Sequence, residues 1–456
     1  MPRFDLDEVE DALGFEQSNR EMEFSDVVTD TRKLKRDALF IAFKGERFNG
    51  EDFLKEAVKK GATGVVVSES CLPEKLAEID AVVFKVKDTV EAYQQLAAYH
   101  RQRFSLPVIA ITGSNGKTTT KDLTAAVLSA KYKVLKTAAN FNNEIGLPLT
   151  LLSLTEKHQA AVVEIGMRGL GQIAALAPIA EPSIGVVTNV GETHMELLGS
   201  IENIAQAKAE LVEAIKPGGV VILNADNHWV AEMNSKAAPG VKVITFGIDK
   251  PADIQAMNLV QQDDQSTVFD CRIGGKLCMF RVPMVGRHNV YNALAAIAVG
   301  WTLNLTPTDI QMGFANLKLT GMRFECTKKG KCTIVNDAYN ASPMSMSAAI
   351  STLKEIAEGR RILVLGDMLE LGDSSKNAHA KVGKEVAESG ADVLITMGTL
   401  AEDIANGAET MGMKNVFRTK DHAEAAEKIK EIMKSGDTIL FKGSRGMRME
   451  KIIDLL

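Results

Sequence analysis

Residues 112–120 read Thr-Gly-Ser-Asn-Gly-Lys-Thr-Thr-Thr, directly after the apolar run Pro107-Val-Ile-Ala-Ile111 and ahead of a helical pattern through Leu123, Val127 and Ala130. Strand, glycine-rich turn and helix in that order make a phosphate-binding loop. Gly113 and Gly116 let the backbone curl so that the N–H groups of Ser114, Asn115 and their neighbours point inward. Lys117 supplies a point charge for the outer phosphates, and Thr118, followed by Thr119, offers a hydroxyl to magnesium. The expected ligand is a nucleoside triphosphate with Mg2+. Ile111 stands where the usual G-x-x-x-x-G-K-[ST] pattern has its first glycine, leaving the shorter G-x-x-G-K-T-T.

A magnesium–nucleotide site needs a carboxylate at the C-terminal end of a neighbouring strand. Glu164 ends Ala160-Ala-Val-Val-Glu, and so apolar a strand seldom closes on a carboxylate without a partner. The metal reading therefore outweighs a solvated strand end. The next apolar strand runs into Thr188-Asn-Val-Gly-Glu-Thr-His194, placing a histidine on the same edge, although a lone loop histidine is more often an ordinary surface residue. Lys208, in Ala205-Gln-Ala-Lys-Ala-Glu210, lies on a helix, where a solvated lysine is the default. Polar clusters at Gly286–Asn292, Met322-Arg323 and Asn336–Pro343 read individually as caps or turns. Neither the Asn-Lys-x-Asp guanine pattern nor the kinase His-Arg-Asp set is present, which removes GTPases and protein kinases.

The elements that must position these residues form an α/β chain. At 456 residues it is too long for one ordinary core, and domains of about 100–200 residues suggest three. Short strands and helices alternate over residues 1–104. Longer buried-type strands (160–163, 184–187, 220–223) alternate with helices over 105–319, the signature of a central, mostly parallel sheet covered on both faces, with period-two strands at 252–283 forming an antiparallel insertion or edge. Strand and helix repeat four times over 320–456, which reads as a Rossmann-like, doubly wound domain. A net charge of −6 and a pI near 5.8 argue against nucleic-acid binding. The five cysteines form no C-x-x-C pair, the N-terminus is acidic, and no apolar stretch approaches the roughly 20 residues of a spanning helix, so a cytoplasmic protein outside the membrane is expected.

Together these segments resemble the Mur ligases, ATP-dependent amide-forming enzymes of bacterial cell-wall precursor synthesis. The short loop is shared with that superfamily, folylpolyglutamate synthases included. Greater specificity comes from Asn140–Pro148, Glu164-Ile-Gly-Met, Thr188–Glu196, Gly286–Leu294, Asn336–Met346 and Leu365–Gly372, with Thr29–Arg32 and Ala42–Glu46 in the first block. Within the family the pattern is similar to the branch that adds the terminal dipeptide, implying UDP-N-acetylmuramoyl-tripeptide and D-alanyl-D-alanine as substrates. The resemblance implies a UDP-sugar domain (1–104), an ATP domain (105–319) and a C-terminal domain (320–456), in a protein expected to be a monomer. It implies that Thr118 and Glu164 hold one magnesium, and that His194 with a carbamylated Lys208 helps hold a second. Asn289 and Asn292 would lie near adenine, Arg323 near the phosphates and Asp337 near the ribose. Thr31, Lys44 and Arg47 match the uridine-diphosphate region, and Asn142 and Asn143 the approach to nucleotide or muramoyl substrate. Position 49, usually aspartate in the family, is Asn49 here. The ligase that adds the third amino acid carries an Asp-Asn-Pro-Arg motif, and no such string occurs. A folylpolyglutamate synthase would lack the full first domain, and a regulatory protein that has lost ligation has no need of Lys117, Glu164, His194 and Lys208 together.

Overall fold

The computed structural model describes residues 2–18, 20–45, 48–77, 79–262 and 265–456. Its contacts gather into two compact units, one made of Met1–Ala110, Tyr132–Ile165 and Ala174–Pro182, the other of Ile111–Lys131, Gly166–Ile173 and Ser183–Leu456.

In the first unit β1 (Asp26–Val28), β2 (Ala38–Ile41), β3 (Ala62–Ser68) and β4 (Val82–Val86) form a parallel sheet in the order β1-β2-β3-β4. Phe40, Ala42, Leu54, Val65 and Val67 build its core. Helix α1 (Thr89–Gln102) is capped by Asp88, which accepts from the N–H groups of Val90 and Glu91. Its Arg101 donates to the Ala180 carbonyl and its Gln94 to that of Glu144, tying down later segments of the same unit. The apolar β5 (Val108–Thr112) is buried throughout and carries the chain from this unit into the other. Still within the first unit, β6 (Val134–Lys136) pairs in parallel with β7 (Ala160–Glu164).

In the second unit the phosphate loop leads into α2 (Lys117–Leu128). Strands β8 (Ile184–Val187), β9 (Val220–Asn224), β10 (Lys242–Gly247) and β11 (Ile254–Gln261) run parallel, and β12 (Thr267–Ile273) and β13 (Lys276–Val282) continue antiparallel to the edge, as the period-two pattern anticipated. Helices α3 (Ile201–Glu213) and α4 (Arg287–Thr302) accompany them.

The last block is a six-stranded sheet: β14 (Glu325–Lys329), β15 (Cys332–Asp337), β16 (Arg361–Gly366), β17 (Val393–Met397), β18 (Val416–Thr419) and β19 (Thr438–Lys442), in the order β14-β15-β19-β16-β17-β18. All neighbours are parallel except β14 with β15. Two apolar clusters form its core, one of them built around Leu363, Leu365, Leu394 and Leu440 and the other around Ile362, Val364, Ile395 and Phe441. Alternate residues of the same strands thus feed different layers, as a strand covered on both sides requires. Helix α5 (Pro343–Ile356) starts in a capping box between Ser342 and Ser345, α6 (Ser375–Glu388) and α7 (Glu402–Thr410) pack closely at Gly383 and Gly407, and no described helix is long and apolar enough to cross a membrane.

Candidate active site

The loop after β5 is held by the turn that follows β8. Ser114 N–H donates to the Asn189 carbonyl (2.9 Å), the Ser114 hydroxyl to that of Gly191 (2.9 Å), and Asn115 N–H to Asn189 Oδ1 (2.8 Å). The Thr188 hydroxyl and Asn189 Nδ2 both donate to the Asn115 carbonyl, at 2.6 and 3.0 Å. A carbonyl tied back in this way cannot turn toward an anion. Two glycines are required by space as well as by backbone angle. Gly113 has φ +150° and a side chain there would meet Thr188 Oγ1 at 1.9 Å; Gly116 has φ +80° and would meet Asn292 Oδ1 at 2.4 Å. Lys117 Nζ rests on the Gly113 carbonyl at 2.7 Å.

Lys208 overturns the expectation of a solvated lysine: it is 2% exposed, on the buried face of α3 with Ile204, Ala205, Leu211 and Val212. Those positions recur at i−4, i−3, i+3 and i+4, so the sequence already carried the signal of a lysine set in the middle of an apolar stripe. Burial, then the charge of Lys117, hold its ammonium well below the ordinary lysine value. His194 adopts φ +57° just before a short helix at Met195–Leu198. Burial lowers its pKa, the Glu370 carboxylate opposes, and Lys117 and Lys208 add to the lowering. Its Nδ1 lies 2.6 Å from Glu370 Oε2. Lys117, His194 and Lys208 therefore sense one another's charge, an environment suited to anions.

The last block adds groups to this loop. Arg323 donates from Nη2 to the Thr118 hydroxyl (2.8 Å), its guanidinium lies 4.0 Å from the centre of the Tyr339 ring, and its Nε is buried without a hydrogen-bond partner. A buried guanidinium N–H left unpaired beside a phosphate loop is a donor suited to an oxyanion. Ser342, the cap of α5, donates to Asn115 Oδ1 at 2.9 Å. Asn292 receives the Thr120 hydroxyl (3.1 Å) and donates to Asn289 Oδ1 (3.1 Å), while Asn289 donates to the Val285 carbonyl (2.8 Å), so Asn292 ties α2 to α4 and Asn289 holds Asn292 in place. Asp337, at the end of β15, accepts from Lys442 Nζ (2.7 Å) and Phe324 N–H (3.1 Å). Glu370, Ser342, Tyr339 and Thr188 were given no individual part by the sequence, although each lies in a motif or beside one.

In the first unit Glu164 ends β7 with 2% exposure. Its N–H donates to the Thr137 hydroxyl (3.0 Å), and Asn142 Nδ2 donates to its Oε1 (2.8 Å). Asn143 is exposed and caps the turn at Gly146 N–H (2.9 Å). The Thr31 hydroxyl donates to Glu56 Oε1 (2.9 Å), Lys44 is exposed and bridges to Asn49, and Arg47 lies outside the described residues. Asn49 Nδ2 donates to the Glu51 carboxylate (3.3 Å), a bond that aspartate at that position could not make.

The donors suit magnesium in kind. In the second unit Thr118 offers a hard oxygen and the His194 ring has no described hydrogen bond beyond the one at Nδ1; in the first, Glu164 offers a carboxylate. Lys208 as an ammonium does not fit, but as the neutral amine that its surroundings favour it can be converted to a carbamate oxygen donor. Among the described residues no three His, Cys, Asp or Glu side chains cluster as a ready-made metal cage.

Comparison with known proteins bears on the chain as a whole. Three family models match in succession: "Mur ligase family, catalytic domain" at residues 23–101, "Mur ligase middle domain" at 111–300 and "Mur ligase, glutamate ligase domain" at 322–445. The chain is 43% identical over 430 residues to a UDP-N-acetylmuramoyl-tripeptide–D-alanyl-D-alanine ligase of Bacillus subtilis (strain 168), covering 94% of this chain and 92% of the relative. A crystal structure of MurF from Acinetobacter baumannii superposes with a TM-score of 0.91 at 31% identity, covering 100% of this chain and 99% of that one. MurF from Thermotoga maritima in complex with ADP gives 0.84 at 28% identity, covering 94% and 96%. A loop shaped for phosphates, a buried lysine behind it and likeness along nearly the whole length have one common explanation: the chain belongs to the Mur ligase family, with its three-domain α/β fold and ATP-dependent ligase chemistry.

Proposed function

We propose that this chain joins D-alanyl-D-alanine to UDP-N-acetylmuramoyl-tripeptide with conversion of ATP to ADP and phosphate. The structural observation that carries the reading is the convergence of Lys117, His194 and buried Lys208 behind a phosphate loop, in a chain similar along 94% of its length to a ligase of that name.

A carboxylate is a poor electrophile with a poor leaving group, so amide formation at neutral pH requires activation. An oxygen of the tripeptide's terminal carboxylate attacks the γ-phosphorus of ATP, the bond from that phosphorus to the β-phosphate oxygen breaks, and ADP departs with the electron pair. Lys117 neutralises charge on the transferred group, and Arg323 offers its unpaired N–H to a phosphate oxygen. The amine of D-alanyl-D-alanine then attacks the carbonyl carbon of the acyl phosphate. The tetrahedral intermediate expels phosphate, and the nitrogen sheds its proton to leave a neutral amide. Magnesium would supply charge neutralisation on the phosphates; the family resemblance assigns Thr118 and Glu164 to one ion and His194 with carbamylated Lys208 to a second. Asn142 orients Glu164 for that task. Lys208 is suited to carbamylation because only the neutral amine attacks carbon dioxide.

The remaining assignments extend this reading: a UDP-sugar domain at 1–104 with Thr31, Lys44 and Arg47 toward the uridine diphosphate, a nucleotide domain at 105–319, and an acceptor domain at 320–456. Asn289 and Asn292 are assigned to the adenine side, Asp337 to the ribose, and Asn143 to the muramoyl approach, in a monomer working in the cytoplasm without nucleic-acid partners. Phosphate release from ATP with the muramoyl tripeptide, comparing D-alanyl-D-alanine, L-lysine, diaminopimelate and glutamate as acceptors, tests the proposal. Turnover should require D-alanyl-D-alanine and vanish in Lys117→Ala. Turnover with another acceptor alone would assign the chain to a different branch, and full activity in Lys117→Ala would remove Lys117 from the mechanism.

A further inference from the structure

One contact in the second unit joins two loops distant in sequence, the turn after β8 and the segment after β16. His194 Nδ1 meets Glu370 Oε2 at 2.6 Å across 176 residues, and Glu196 N–H reaches the Glu370 carbonyl at 3.3 Å. Both partners of the side-chain bond occupy the left-handed region, His194 at φ +57° and Glu370 at φ +64°, which residues other than glycine rarely adopt. Gly372 (φ +54°) passes so close that a side chain there would lie 3.1 Å from the Glu196 backbone. Two non-glycine residues in strained conformations, a second bond through the backbone and a close glycine approach describe a built contact.

We infer that Glu370 is a positioning residue: reaching from the C-terminal block, it fixes the ring plane and tautomer of His194 so that Nε2 is presented as a ligand. An ionised carboxylate only accepts, so Nδ1 must carry the proton and the Nε2 lone pair is left for the ligation proposed above. Metal-binding histidines are commonly held by a carboxylate on the other ring nitrogen, which fixes the tautomer and the orientation. Here that carboxylate comes from a loop 176 residues away in sequence. This inference rests on His194 being a magnesium ligand.

Two readouts separate the inference from that reading. The first is 15N NMR of histidine-labelled protein, with the His194 signals assigned by their loss in His194→Asn. Wild type should show the Nδ1–H form, Glu370→Ala should shift toward the Nε2–H form, and Glu370→Gln, whose amide oxygen still accepts, should keep the wild-type form. The second is Mn2+ binding with a non-hydrolysable ATP analogue. Glu370→Ala should weaken the more weakly held ion by about tenfold or more, His194→Asn should weaken it at least as much, and Glu370→Gln should fall between wild type and Glu370→Ala. An unchanged tautomer in Glu370→Ala overturns the inference. So does unchanged Mn2+ affinity in Glu370→Ala when His194→Asn loses the ion. Unchanged Mn2+ affinity in His194→Asn instead overturns the ligand reading, and the tautomer alone then decides whether Glu370 orients the ring.

Discussion

Lys208 shows how much a single residue's surroundings decide. An ammonium on the buried face of α3 loses its hydration, and Lys117 repels it. Conversion to a carbamate exchanges that unfavourable positive charge for an anion among Lys117 and His194. Truncation should therefore be rescued by small anions. Lys208→Ala is expected to lose most ligase activity, about a hundredfold or more as for loss of a transition-state charge partner, and to recover part of it with acetate or formate. Recovery that saturates with carboxylate and fails with chloride would support the carbamate, whereas unimpaired Lys208→Ala would dismiss it. The position was legible in one sense and missed in another. The motif resemblance gave it a role, while the default for helical lysines gave it solvent, and the fold resolves the conflict by burying it in the stripe of Ile204, Ala205, Leu211 and Val212.

Among the elements, the apolar strands were plain in the sequence because each is buried on both faces and reads as a mostly hydrophobic run: β5, β7, β8 and β19 are buried throughout, and β16 is buried after Arg361. β14 escaped notice because Glu-Cys-Thr-Lys-Lys is a polar, mostly exposed edge strand, identified only by its antiparallel pairing with β15. β6 and the short helix at Gly146–Leu151 were too brief for periodicity to reveal. Close packing of α6 on α7 is likewise a tertiary fact. A side chain at Gly383 would meet the Ile404 carbonyl at 1.9 Å, and one at Gly407 the Ala380 carbonyl at 2.2 Å. Neither backbone can yield without parting the helices. Gly383→Ala should cost about 1–3 kcal/mol, read as a lower urea midpoint for the second unit. Gly169→Ala, whose nearest neighbour would be 3.9 Å away, should leave that midpoint nearly unchanged. Equal behaviour of the two variants would contradict the packing argument.

At the scale of the whole molecule, each compact unit carries a histidine, buried in the first and half-buried in the second, that responds to acid. Burial pushes His100 in the first unit and His288 in the second down to about 4, opposed by the Leu154 carbonyl bond and by Asp337 respectively. Both are neutral in the fold at pH values where the unfolded chain, with a value near 6.5, binds protons. Stability is therefore full above about 6.5 and falls as pH drops toward 4. Urea midpoints at pH 7.5, 6 and 5 should decline, and less steeply in His100→Gln and His288→Asn; parallel slopes would assign the acid response to other groups. The sequence by itself determined the α/β class, the phosphate loop and the family, because apolar runs, glycine positions and contiguous motifs are local features of the chain. Tertiary structure decided what those residues touch. The burial of Lys208, the grip of Arg323 on Thr118 and of Asp122 on the Thr320 N–H, and the pairing of His194 with Glu370 join residues up to 205 positions apart. Desolvation and charge act through space, and their effect is set by neighbours that only the folded chain supplies.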